Sequence, residues 1–299
     1  MSIPTESYEA VFEQYSAAMR WMVELGIKLS QGRTSHYEKV VGHWTDVYKT
    51  ATAAEGRHVF PDFVNSMFEV FDFVNIHKAF KDVPVHQLTS IIEKLQKGVD
   101  GSINTADETA DSTAARNFLF EAAVAAKAHR PGRGIEAILD ARSDTGIRLN
   151  GKKIWVECKR VTTIDKIESN ARKASRQLEM VLTGEIGSGH RGIVALDVSK
   201  ILNRGDKIFV APNDNELLAS VDRTMDQFIE EHSSIWQRVY ERRHKKIIGT
   251  IIRFSFMASS EARNLLVHAS QWAMNPRLGV ATGDELIQRQ LVATLASTS

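Results

Sequence analysis

An Asn-Gly pair at residues 150–151 is the feature that most constrains how this chain folds. It separates two strand-like runs, TGIRL (145–149) and KKIWVECKRV (152–161). Asn-Gly between such runs is the strongest short-range signal for a β-hairpin, because the tight two-residue turn needs positive φ at both positions. A helix-like stretch (165–183) and the apolar run GIVALDVS (192–199) follow. Strand, helix and buried strand in this order predict a βαβ unit with parallel pairing.

The first third of the chain is predicted to be helical, because apolar residues recur within residues 4–97 at a spacing near 3.6. A first helix is expected within SYEAVFEQYSAAMRWMVELGIKL (7–29), and further helices are expected around 36–53, 62–72 and 84–97. Pro61 and Pro84 suit helix starts or the turns before them.

The segment VDGSINTADETADST (99–113) separates this helical part from the rest. It contains four acidic residues, no Lys or Arg and two bulky aliphatic residues, so it is expected to be an exposed connection. The length of 299 residues suggests two domains. We therefore predict a helical domain (1–98), a linker (99–113) and a second domain (114–299).

The second domain is predicted to be α/β, with a mixed sheet flanked by helices. Residues 114–129 favour a helix that Pro131 and Gly132 end. The further expected elements are a strand within 134–142, a long helix over 214–240, and strands around 246–256 and 265–274.

Composition favours a globular protein, with 43% hydrophobic and 25% charged residues. No apolar run reaches the ~18 residues needed to cross a bilayer, and the N-terminal residues do not resemble a secretory signal. Cys158 is the sole cysteine, so neither an internal disulfide nor a cysteine-based zinc site is expected. We expect a cytoplasmic protein that does not contact membranes.

Charge is divided unevenly along the chain, although the net charge is +1. Residues 1–113 carry 10 Lys and Arg against 16 Asp and Glu, a net charge of −6, and the remainder carries +7. The basic residues of the remainder form two groups: Lys152, Lys153, Arg160, Lys166, Arg172, Lys173 and Arg176, and then RVYERRHKK (238–246). If these groups contact phosphates, binding depends strongly on salt. An ordinary solvated surface is the alternative.

The run KKIWVECKRV also carries candidate chemistry. Side chains two apart on a strand share a face, so Glu157 and Lys159 project together while Cys158 projects the other way into the core. Asp144 precedes the opposing strand, and pairing of the hairpin strands could bring it to Glu157. Two carboxylates and the Cys158 carbonyl suit Mg²⁺, and Lys159 could then orient or deprotonate an attacking water or stabilise negative charge. A surface ion pair of Glu157 and Lys159 is the alternative, and Asp140 is the alternative aspartate.

The string SDTGIRLNGKKIWVECKR (143–160) resembles the PD-(D/E)XK nuclease superfamily, whose fold is restriction-endonuclease-like. Ser143-Asp144 stands where the family has Pro-Asp, and Glu157-Cys158-Lys159 stands for its (D/E)-X-K. The resemblance places Glu121 as an additional metal-site acid and Gln177 as an active-site glutamine, although both could be plain helix surface residues. It covers residues 114–200 well and 201–299 loosely, and it excludes the first 113.

The resemblance implies a metal-dependent nuclease that hydrolyses phosphodiester bonds, usually of DNA, with Mg²⁺ as cofactor and Mn²⁺ as a substitute. Some family members act in anti-phage defence or DNA processing. The N-terminal helices could then bind a protein partner, mediate homo-oligomerisation or regulate cutting. Two alternatives stay open. The chain could be a non-catalytic nucleic-acid-binding or assembly subunit with the nuclease fold, or its N-terminal half could dock a larger complex in which the nuclease half becomes active.

Overall fold

Seven strands form one mixed sheet at the centre of the molecule, in a computed structural model that describes residues 6–29, 32–109, 111–203, 207–262 and 265–297. The strands are β1 (Ile135–Ile138), β2 (Thr145–Leu149), β3 (Lys152–Arg160), β4 (His190–Asp197), β5 (Phe209–Ala211), β6 (Ile247–Ser260) and β7 (Leu265–Pro276). Their order is β1-β2-β3-β4-β6-β5, and β7 lies along the other edge of β6. The β1–β2, β2–β3 and β6–β7 pairs are antiparallel and the rest are parallel, which confirms the predicted α/β class with a mixed sheet.

The predicted hairpin is confirmed. β2 and β3 pair from Thr145 opposite Val156 to Leu149 opposite Lys152. Asn150 and Gly151 form the turn with φ values of 49° and 74°. Both values are positive, as the type I′ turn that matches the twist of paired strands requires.

Helices cover both faces of the sheet. They are α5 (Ala114–Ala128), α6 (Ile167–Thr183), the short α7 (Ser199–Leu202), α8 (Asp214–Tyr240) and α9 (Thr282–Ala296). The chain runs from β3 through α6 to the parallel strand β4, which confirms the predicted βαβ unit. β5, α7 and α9 were not predicted from the sequence.

The alternation of side chains along β3 separates two hydrophobic clusters. Trp155 packs with α6 and α8 on one face of the sheet. Ile154, Val156 and Cys158 pack with α5 and α9 on the other face. The thiol of Cys158 is therefore a core group, as predicted. Glu157 and Lys159 alternate in phase with Trp155, so the strand places this charged pair on the opposite face from Cys158.

The N-terminal helices are α1 (Tyr8–Glu24), α2 (Arg33–Val47), α3 (Ala53–Phe80) and α4 (Thr89–Gly98). Pro84 precedes a short 3₁₀ turn before α4, as expected. The expectation for Pro61 is wrong, because this residue lies inside α3. A capping box between Thr52 and Glu55 starts this helix earlier. Pro61 and Arg57 are exposed, so water can satisfy the carbonyl that loses its helical partner. None of the helices in the described ranges combines the length and hydropathy that a bilayer crossing requires.

The described residues of segment 99–113 include exposed positions such as Asp100, Asp107 and Asp111, as the composition predicts, but the segment is also anchored in the fold. Val99, Thr105 and Glu108 are buried, and the backbone carbonyl of Ile103 accepts a hydrogen bond from the Tyr37 hydroxyl at 2.7 Å. The acidic composition is misleading here because Glu108 is neutralised by Arg160, at 2.9 Å. One hydrophobic cluster also joins α1–α4 to α5. The helices of the first 98 residues therefore pack directly against the second part of the chain.

A buried charge network, defined here as the ion pairs around Glu69, Asp72, Glu108 and Asp197, connects the N-terminal helices to the sheet. Glu69 of α3 forms an ion pair with Arg33 of α2 at 2.9 Å and accepts a hydrogen bond from Arg116 of α5 at 2.5 Å. Asp72 of α3 accepts from Arg253 of β6 at 2.6 Å. Arg160 at the end of β3 bonds Asp197 of β4 at 2.8 Å as well as Glu108. A cavity of about 20 Å³ lies among these groups, which is room for about one water.

Candidate active site

The hairpin brings together the three side chains that the sequence singled out. Asp144 immediately precedes β2, so the strand register places it beside Glu157 of β3. The backbone N–H of Asp144 donates to Glu157 Oε1 at 3.3 Å. The ammonium of Lys159 donates to Asp144 Oδ2 at 2.9 Å and to Glu157 Oε2 at 3.4 Å. Asp144, Glu157 and Lys159 therefore form one cluster at the end of the hairpin away from its turn.

The Lys159 ammonium is the point on which the oxygens of this cluster converge. It also donates to the backbone carbonyl of Cys158, at 2.9 Å. The backbone N–H of Cys158 in turn donates to Asp144 Oδ2 at 2.9 Å. The side chain of Glu157 is 3% exposed and that of Lys159 is 10% exposed, so the charges are largely removed from water. A buried acid and ammonium need such mutual bonding, because either charge alone is costly to bury.

Asp144, and not Asp140, is the aspartate of this cluster. Asp140 is exposed and lines an open cleft of about 700 Å³ between α4 and β1. It lies in the connection between β1 and β2, four residues before Asp144. The sheet register selects Asp144 because only the residue directly before β2 faces Glu157.

Glu121 reaches the cluster from α5. The Thr145 hydroxyl donates to the backbone carbonyl of Glu121 at 2.9 Å. This bond holds α5 against the start of β2, next to Asp144. The two carboxylate oxygens of Glu121 have separate partners. Oε1 accepts from Asn117 at 2.7 Å and Oε2 accepts from Lys94 of α4 at 2.9 Å. Glu121 is therefore beside the cluster but bonded to other groups.

The crowding of carboxylates changes their acidity. Burial, and then the charge of Asp144, raise the pKa of Glu157 to about 8 and that of Glu121 to about 7. Burial alone would lower the pKa of Lys159, but the Asp144 carboxylate outweighs it and the pKa lies above its usual value. Lys159 is therefore a protonated donor, which favours stabilisation of negative charge over deprotonation of water.

The donor chemistry of the cluster fits a hard divalent cation. Asp144, Glu157 and the Cys158 carbonyl supply the oxygen ligands that Mg²⁺ prefers, and they already surround one positive charge, the Lys159 ammonium. Across the part of the chain that the structure describes, no group of three or more His, Cys, Asp or Glu side chains is arranged to hold a metal. A cation at these oxygens thus competes with Lys159.

Gln177 is not hydrogen-bonded to the cluster. It lies on α6 and is half-buried. Within the described residues, its Oε1 atom is buried and has no hydrogen-bond partner. The resemblance placed Gln177 in the active site, and the hydrogen bonds of the described residues do not connect it to Asp144, Glu157 or Lys159.

The basic groups of the sequence are only partly available to a phosphate. Arg160 was expected among them, but it is buried between Glu108 and Asp197. Arg172 bonds Glu168 of the same helix at 2.5 Å, and Arg243 bonds Glu179 at 2.8 Å. The expectation for Arg160 is wrong because the surrounding carboxylates, which are distant in sequence, neutralise it.

Two neighbours of the site, Lys94 and Asn117, were not predicted from the sequence. Asn117 lies one helical turn before Glu121, a spacing that places both on one face and could have suggested the pair. Lys94 lies 27 residues before Glu121, on another helix. No local spacing marks such a partner, because only the packing of α4 on α5 brings the two side chains together.

No model of a known protein family matches the chain. Neither a curated protein nor a solved structure matches it.

Proposed function

We propose that the protein is a Mg²⁺-dependent nuclease that hydrolyses phosphodiester bonds of DNA, with the restriction-endonuclease-like fold. The observation that carries the proposal is the convergence of Asp144, Glu157 and Lys159 on the β2–β3 hairpin, with Lys159 Nζ 2.9 Å from Asp144 Oδ2. Two acids and a lysine, all largely buried, at the end of a hairpin are more than a surface ion pair requires. The resemblance of residues 143–160 to the PD-(D/E)XK superfamily supports the same conclusion.

The proposed roles follow from the donor properties of each group. Asp144, Glu157 and the Cys158 carbonyl hold Mg²⁺, for which Mn²⁺ can substitute. The cation, when bound, supplies Lewis-acid chemistry at a phosphoryl oxygen. Lys159 donates to the negative charge that develops on the phosphate, since its pKa keeps it protonated. Glu121 adds a further acid beside Asp144.

The experiment is cleavage of supercoiled plasmid DNA by the full chain with Mg²⁺ or Mn²⁺. We expect Lys159→Ala and Asp144→Asn each to lose roughly 100-fold or more of the rate, because each removes a group aimed at the reacting charge. Asp140→Asn is the matched control, since the same change four residues earlier affects an exposed side chain outside the cluster. It should cut like the wild type.

The outcomes separate errors of assignment from failure of the proposal. Full activity of Asp144→Asn with loss in Asp140→Asn would show that the wrong aspartate was chosen. Wild-type cleavage that survives Lys159→Ala would remove Lys159 from the site. Absence of cleavage of any DNA by the wild type with either metal would reject the nuclease proposal.

One observation favours a second candidate, a non-catalytic nucleic-acid-binding or assembly subunit. The Lys159 ammonium already bonds all three proposed metal ligands, so the cluster is electrostatically closed and can be purely structural. This candidate predicts DNA binding that weakens steeply with salt and is unaffected by Asp144→Asn. Gel-shift titrations at several salt concentrations, run beside the cleavage assay, distinguish the two functions.

A further inference from the structure

We propose that Lys94, which the N-terminal helices contribute, is a positioning residue of the candidate active site and acts through Glu121. The inference rests on the proposed function and extends it, because it assigns part of the site to a region outside the nuclease-like domain. Its basis is the bond of 2.9 Å between Lys94 Nζ and Glu121 Oε2.

Glu121 is held from two sides. On its own helix, Asn117 Nδ2 donates to Glu121 Oε1 at 2.7 Å, while Asn117 Oδ1 accepts from the backbone N–H of Arg160 at 2.8 Å. Asn117 therefore connects Glu121 to the end of β3, one residue past Lys159. Lys94 holds the other carboxylate oxygen from α4. With both oxygens engaged, the direction of the carboxylate is fixed by groups on α4 and α5.

The Lys94–Glu121 pair differs from a surface ion pair. The side chain of Glu121 is 4% exposed and that of Lys94 is 15% exposed. Buried charge pairs are weakly screened, and loss of one partner leaves the other charge uncompensated. The charges that face Glu121 are Lys94, Asp144 and Lys159. Without Lys94, Glu121 would face Asp144 with one cation fewer nearby, and repulsion would favour a turned or neutral carboxyl group.

The packing of α4 on α5 makes this contact a fixed one. A Cβ atom added at Gly98 in α4 would lie 3.4 Å from the Leu119 backbone nitrogen of α5, so the two helix backbones approach closely. Leu95, the neighbour of Lys94, is fully buried in the cluster shared with α5. Lys94 is thus delivered to Glu121 by a rigid helix and not by a loop.

The test compares five variants of the full chain with the wild type: Lys94→Ala, Lys94→Arg, Glu121→Gln, the double variant Lys94→Ala/Glu121→Gln, and Lys97→Ala. Lys97 is the matched control because it is a lysine of the same helix that lies over the Phe118 ring, and among the described residues it forms no hydrogen bond or ion pair with Glu121. Plasmid cleavage is measured over a range of DNA concentrations with Mn²⁺, and urea unfolding is measured without metal.

We expect Lys94→Ala to cut roughly 10- to 100-fold more slowly at saturating DNA, as for other residues that orient a site group, with the half-saturating DNA concentration unchanged. Lys94→Arg should keep most of the wild-type cleavage rate. Lys97→Ala should cleave at the wild-type rate. In the Glu121→Gln background, Lys94→Ala should cause no further loss of rate and a smaller fall of the urea midpoint, because the two residues act as one unit.

Three results would overturn the inference. The first is wild-type cleavage by Lys94→Ala, and the second is a change confined to the half-saturating DNA concentration. The third is a double variant whose rate loss equals the product of the losses caused by Lys94→Ala and Glu121→Gln alone. The second result would make Lys94 a DNA contact. A wild type that cuts no DNA is a different failure, since it rejects the proposed function itself, whereas an active wild type with an active Lys94→Ala rejects only the role of Lys94.

Discussion

At the scale of single residues, the candidate site contains more acidic than basic side chains. Asp144, Glu157 and Glu121 are opposed by two lysines, and the acids are too close to one another to ionise freely. Protons can relieve this repulsion as a metal would. The acidity of Glu157 is therefore coupled to the stability of the fold.

The first prediction concerns pH. The folded pKa of Glu157 is about 8, because burial and then Asp144 raise it, while an unfolded glutamate titrates near its ordinary value of about 4.3. Between these values the folded state binds more protons, so stability is full below about pH 4 and is lost as pH rises through about 8. Over this whole interval the loss should be on the order of 5 kcal/mol. Urea unfolding from pH 5 to 8.5 measures it.

Glu157→Gln should make this profile shallower, because the amide does not ionise while Glu121, whose pKa is about 7, still does. Glu136→Gln, the same substitution at an exposed position of β1, is the control and should keep the wild-type slope. Equal slopes for wild type and Glu157→Gln would show that Glu157 titrates normally.

At the scale of elements, the β2–β3 hairpin depends on a close approach between its strands. Gly146 lies directly opposite Trp155, and a Cβ atom at Gly146 would lie 2.8 Å from Trp155 Cζ3. The glycine therefore makes room for the indole ring that covers it. The same register sets Asp144 beside Glu157, so this packing also supports the site.

Gly146→Val should destabilise the protein by about 2–3 kcal/mol, because overpacking displaces Trp155. Gly132→Ala is the control, as a Cβ atom there has nothing within 4 Å. Urea midpoints and the near-ultraviolet signal of tryptophan report the change. If Gly146→Val is as stable as Gly132→Ala, the ring moves freely and the hairpin does not depend on this contact.

The elements also show what sequence could predict. The Asn150-Gly151 turn, the alternation along β3 and the pair of Glu157 with Lys159 are local, so periodicity and turn chemistry were sufficient. The prediction that Pro61 starts a helix was wrong because the start of α3 depends on a capping box nine residues upstream. The burial of Glu108 and the contact of Lys94 with Glu121 depend on partners 52 and 27 residues away, and no local pattern encodes such distances.

At the scale of the whole molecule, the buried charge network joins what composition divided into two domains. Glu69 forms ion pairs with two guanidinium groups, those of Arg33 and Arg116, and its side chain is 8% exposed. Networks of this kind are weak evidence for net stability, but breaking one leaves charges without compensation. The helical part and the sheet should therefore lose their structure together.

Glu69→Gln should lower the unfolding free energy by about 3–5 kcal/mol, because two buried guanidinium groups lose their counter-charge. Glu9→Gln, which breaks the exposed pair with Lys49, should leave the urea midpoint unchanged. Separate unfolding transitions in the wild type, followed by tryptophan fluorescence and by circular dichroism, would contradict the joined architecture.

The pair of Asp72 with Arg253 has a consequence for synthesis. The two residues are 181 positions apart, yet they meet at 2.6 Å. A ribosome delivers α3 long before β6, so Asp72 must remain hydrated while most of the polypeptide is still being translated. Closing so large a loop has a high entropic cost and is slow. The N-terminal helices therefore cannot bury the surface that packs against β6 until that late strand has been synthesised.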